Sequence, residues 1–97
     1  MPLDRPYPYI VTFDLKGPAF TYRALAEELQ RSPSWWHYIT STWIVIRYES
    51  LFELGPKLRA LIGPNDQLLI MPAKGPADGL LPKDAWEWIR KNLPREW

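Results

Sequence analysis

Cysteine is absent from this 97-residue sequence, and histidine occurs once, at position 37. The missing thiols exclude disulfides, thiolate metal sites and cysteine nucleophiles, and one imidazole leaves little from which to build a His-based zinc site or a Ser-His-Asp triad. Long apolar runs are also missing: none approaches the roughly 20 residues that a membrane-spanning helix needs. The opening Met1-Pro2-Leu3-Asp4-Arg5-Pro6 has no apolar core of a secretory leader. A soluble, cytoplasmic protein with no membrane association is the expectation. Strong charge of either sign is lacking too. A net charge of +1 and a pI near 8.0 give no overall basic footprint, so any nucleic-acid site must be a local patch. What is present is 46% hydrophobic residues, six tryptophans and eleven prolines, the composition of a globular chain with room for one core; residues 1–97 are read as a single domain.

Along the chain, YPYIVTFDL (residues 7–15) is rich in aromatic and β-branched residues and is bounded by Pro6 and Gly17-Pro18, which predicts a buried central strand ending at Asp14. Tyr22, Leu25, Ala26 and Leu29 recur at helical spacing and predict an amphipathic helix over 21–31, with Thr21 as its cap. After Ser32-Pro33-Ser34, the segments 36–39 and 42–48 flank the polar Thr40-Ser41 as a β-hairpin. The S-x-x-E box of Ser50 and Glu53 opens a second helix, expected to reach about Ile62 and to be kinked or delayed by Gly55-Pro56. Turn residues 63–66 precede a fourth strand, Gln67–Met71, and Pro82 is placed in the first turn of a C-terminal helix over 81–93 carrying Trp86, Trp88 and Ile89. Strand, helix, strand, strand, helix, strand is the order of an α+β, ferredoxin-like βαββαβ sandwich with a four-stranded antiparallel sheet; the C-terminal helix is extra.

YIVTFDL, SWWHYITSTWIVI, PNDQLLI and LPKDAWEWIRKNL together resemble the short bacterial proteins called the "SinR family", over nearly the whole chain. Those proteins are in turn similar to the small CRISPR-associated Cas-two family, with its strand ending in Asp, Ser-x-aromatic hairpin strand and Asp opening the fourth strand; the matching residues here are Asp14, Ser41-Thr42-Trp43 and Asp66. Two departures bear on what the resemblance implies. Leu15-Lys16-Gly17-Pro18 stands where that family commonly carries an Arg-bearing segment, and the Trp-rich helix replaces its late strand.

Asp14 is the candidate catalytic and metal-binding residue: with its symmetry mate, a carboxylate at a strand end would hold Mg²⁺ or Mn²⁺ across a dimer axis and act on a phosphodiester. The ordinary reading of such an Asp is a turn or capping residue. For nucleic-acid binding the candidates are Lys16, Arg23 and Arg47, if they gather near the strand ends, together with Trp35 and His37, which with Trp36 and Tyr38 would form a stacking platform for bases. Core filling and a subunit interface are the competing uses of those aromatics. Two functions follow. One is a non-catalytic homodimeric interaction or adaptor module in a defence or toxin-antitoxin setting, with nucleic acid or another protein as partner. The other is a metal-dependent nuclease using Asp14. A single good carboxylate and near-neutral charge favour the first. The six tryptophans predict a symmetric dimer in which the C-terminal helix packs on its own domain or crosses to its mate.

Overall fold

In the computed structural model, which describes residues 5–94, the predicted central strand is β1 (Tyr7–Asp14), and it lies between β3 (Thr42–Arg47) and β4 (Gln67–Pro72). Strand β2 (Ser34–Ile39) flanks β3, giving the order β2-β3-β1-β4 with every neighbouring pair antiparallel. With helices α1 (Ala19–Gln30), α2 (Leu51–Arg59) and α3 (Lys83–Asn92), the chain is an α+β, ferredoxin-like βαββαβ sandwich with an added C-terminal helix.

The period of two along each strand divides the apolar side chains between two cores. Tyr9 and Val11 of β1 and Trp43 and Val45 of β3 face α1 and α2, where Leu25, Leu29, Leu54 and Leu58 are fully buried. Each such leucine contributes roughly 1.5–3 kcal/mol by leaving water. On the opposite face, Trp36 and Ile44 pack under Ala85, with Trp88 and Ile89 of α3 closing over them. Trp36 Nε1 donates to the Ala85 carbonyl (3.2 Å) and Trp88 Nε1 to Ser34 Oγ (2.9 Å), so α3 packs on its own sheet.

Several boundaries differ from expectation for local reasons. Helix α1 starts at Ala19, with Pro18 as the flanking residue; Thr21 is already inside, its amide bonded to the Pro18 carbonyl at 3.0 Å. Pro18 has no side-chain acceptor, so this helix end carries no side-chain cap. In α2 the Glu53 carboxylate accepts the Ser50 amide (3.1 Å), as the S-x-x-E spacing predicts. That helix then runs through Pro56 without a delayed start and stops at Arg59, short of Ile62. The proline deprives the Phe52 carbonyl of its amide partner, but Phe52 lies on the solvent side, where water can replace the lost bond. Pro82 precedes α3 in an extended conformation (ψ 157°), so the helix begins at Lys83, inside the expected 81–93. The hairpin carries a register shift between Trp36 and Ile39, a bulge that the alternating pattern did not announce.

Candidate functional site

Asp14 ends β1 opposite Gln67, at the rim where the β2–β3 turn and the start of α1 also converge. The Phe13 amide donates to the Ser41 carbonyl (3.1 Å) and the Thr12 and Thr42 hydroxyls lie 3.2 Å apart, which fastens that turn to β1. A shallow depression of about 260 Å³ opens there between Asp14, Gly17, Tyr22 and Ser41. The Asp14 carboxylate is ion-paired with Lys16 Nζ at 3.0 Å, and both side chains stand more than half exposed.

A second carboxylate belongs to this rim. Asp66 accepts the amides of Lys16 (2.6 Å), Gly17 (3.3 Å) and Gly63 (2.8 Å), clipping the loop after β1 to the turn before β4. The Gly63 amide, followed by that of Lys16, holds its acid below the usual carboxylate range. The turn chemistry of residues 63–66 was legible in sequence; that the Asp66 carboxylate spans about 50 residues to reach the Asp14 loop was not. Amide hydrogens aimed at the Asp66 oxygens oppose the approach of a cation. With Asp14 bridged to Lys16, one chain offers no open carboxylate pair, and no group of three or more His, Cys, Asp or Glu forms a ligand set among the described residues. Among the described residues, then, one chain supplies no ready-made ligand set for Mg²⁺ or Mn²⁺.

Arg47 is not at this rim. The register places it opposite Tyr7, at the other end of the sheet from Lys16, so the expected gathering of Lys16 and Arg47 does not occur. Its side chain is 4% exposed, and all five of its N–H donors are engaged. They go to the Glu49 carboxylate (2.9 and 2.7 Å), to the Glu28 carboxylate and carbonyl (2.9 and 3.0 Å) and to Ser32 Oγ (3.2 Å). Burial opposes the charge of Arg47, but the bonds to Glu49 and Glu28 outweigh it and raise its pKa. Glu49 in return is pulled down to about 2, by Arg47 first and also by Lys57 at 2.7 Å. No donor of Arg47 remains for a phosphate. Arg23 lies exposed on the second turn of α1.

The four hairpin aromatics do not form one platform. Trp35 and His37 lie on the α1 and α2 side, where both pack against Trp43: the Trp35 ring is 5.3 Å away and tilted, and the His37 ring is stacked at 4.0 Å and 8°. Trp36 and Tyr38 pair on the α3 side, with Trp36 buried. Trp35 alone among these indoles is substantially open, at 41% exposure. The His37 ring is further held by a bond between Nε2 and the Thr40 carbonyl (2.9 Å), the geometry of a structural histidine. Buried Trp43 Nε1 finds no hydrogen-bond partner among the described residues. Among those residues, too, no helix is long and apolar enough to cross a membrane.

No protein-family model and no curated protein matches this chain. Among solved structures it is similar to a hypothetical protein from Thermus thermophilus, at 25% identity and a TM-score of 0.61, over 79% of this chain and 95% of that one.

Proposed function

We propose that the protein is a Cas-two-like, non-catalytic interaction or adaptor module that works as a homodimer in a defence or toxin-antitoxin setting. The observation that carries this reading is the state of Asp14. The carboxylate on which a nuclease would depend is occupied by Lys16 at the exposed rim, and its neighbour Asp66 is occupied by backbone amides. Hydrolysis of a phosphodiester needs charge concentrated where charge develops in the transition state. The five residues considered for nucleic-acid binding are instead spread over a loop, a helix and two strands, and Arg47 is saturated.

The test is a cleavage assay with single-stranded and duplex RNA and DNA, with and without Mn²⁺, on wild type and Asp14→Asn, combined with melting curves. Expected are no metal-dependent cleavage, no metal-dependent shift in melting temperature, and a variant whose stability is within about 1 kcal/mol of wild type, since exposed ion pairs contribute little. Metal-dependent cleavage by wild type that disappears in Asp14→Asn would establish the nuclease reading and end this one.

A further inference from the structure

We infer that the open edge of β4 pairs with β4 of a second copy, antiparallel about a two-fold axis, joining two four-stranded sheets into one; this rests on the homodimeric reading above. The backbone supplies the first argument. The Ala73 amide donates to the Pro8 carbonyl (2.9 Å), so strand alternation turns the amides of Gln67, Leu69 and Met71 toward β1 and the backbone groups of Leu68 and Ile70 outward. Among the described residues no strand accepts them. An edge of this kind is a template for another strand.

The second argument is the chemistry of the edge. Residues 67–71, Gln-Leu-Leu-Ile-Met, carry no charge, and Pro72 interrupts donation only at the end. In a two-fold antiparallel pair the residue on the axis meets its own copy and the others meet residues of the same strand, so a strand without charge has no like-charge repulsion to overcome. The other edge is disqualified by its bulge, since β2 shifts register between Trp36 and Ile39. Third, apolar surface is exposed along this edge. Leu69 and Met71 are 55% and 47% exposed on the α3 side, and Phe52 of α2, 88% exposed, lines with Leu68 and Leu69 a groove of about 390 Å³ beside the strand. The register that uses both free backbone positions sets Leu68 opposite the partner's Ile70 and places Leu69 opposite its own copy on the axis, with Cα atoms about 4.5 Å apart, as in a non-hydrogen-bonded antiparallel pair.

The cysteine-free sequence makes the test direct. Wild type should scatter light as twice the 11.4 kDa chain. Leu69→Lys and Leu69→Glu, at a solvent-facing position, should each keep the wild-type circular dichroism and weaken the dimer at least about tenfold, because like charges then meet on the axis. An equimolar mixture of the two should recover the dimer mass. Leu69→Cys should oxidise to a covalent dimer, the Cα separation being suited to a disulfide. A wild-type dimer that survives both charge variants and does not cross-link through Leu69→Cys overturns this inference alone, since the copies then meet elsewhere. A wild type with the single-chain mass overturns this inference and the homodimeric reading together, including the case in which the edge serves a different protein's strand.

Discussion

Arg47 joins Glu28 and Glu49 in one buried ionic cluster, with Lys57 at its margin. Removing one partner of a buried ionic cluster leaves the others charged and desolvated. Arg47→Met should therefore cost about 3–5 kcal/mol in urea unfolding, far more than the loss of an exposed pair. Glu49 adds a pH dependence. Its folded pKa of about 2 lies below the ordinary 4.5, so the folded state binds fewer protons than the unfolded chain in that interval. Its contribution is complete above about pH 4.5 and is lost as pH falls toward 2; a fall of that size corresponds to at most roughly 3 kcal/mol. Urea midpoints taken between pH 7 and pH 2 should fall across that window. In Glu49→Gln the fall should be shallower, and an unchanged acid slope would remove Glu49 as its source.

At the scale of elements, α3 is the piece that converts a sheet with one covered face into a sheet covered on both, at least above β2 and β3. Its attachment is specific: two indole donors, Trp36 to Ala85 and Trp88 to Ser34, tie it to β2, while the Gly75 amide bonds the Pro94 carbonyl (2.8 Å) to hold its far end. Truncation after Pro82 would uncover Trp36 and Ile44, and the expected product is aggregated or unfolded at ambient temperature. A soluble truncated chain with an unchanged melting temperature would show α3 to be dispensable. Trp36→Phe keeps an aromatic ring but removes the pyrrole part of the indole and its bond to Ala85, so its expected cost has two parts, about 1 kcal/mol for the hydrogen bond and at least as much for the cavity left in the buried site. Calorimetry of the two variants separates cover from attachment.

For the whole molecule, the two strand-end cations expected to share one phosphate site lie apart. Lys16 sits at one end of the sheet, Arg47 is buried at the other, and the net charge is +1. Polyanion binding scales with the number of phosphates neutralised together, so the chain should pass through a heparin column unretained at physiological ionic strength. Retention that is lost in Lys16→Ala would reveal a local basic patch at the Asp14 rim. The apolar surface is uneven: α3 covers Trp36 and Ile44 and leaves Leu69 and Met71 of β4 open, while Tyr38 and Ile39 are exposed on the bulged strand β2. That asymmetry turns a general expectation of association into a particular edge.

Much of the architecture was legible one segment at a time. The strand ending at Asp14, the capping box at Ser50, the hairpin around Thr40-Ser41 and the amphipathic run of Leu25 and Leu29 all depend on spacing between near neighbours, which a linear sequence records in full. The separation of Trp35 and His37 from Trp36 and Tyr38 was also implicit in a period of two. Side-chain partners brought from far along the chain were not legible. Arg47 read as a surface cation because nothing near it in sequence announces that Glu28 of α1 will close over it, and Asp66 read as a turn residue because its amide partners at Lys16 and Gly17 are supplied by chain folding. Sequence by itself determined which segments become strands and helices and which faces are apolar, through periodicity and local sterics. The tertiary structure alone decided which charges are consumed inside the fold, which face α3 covers and which strand edge stays open, because burial and pairing depend on contacts between residues that only folding brings together.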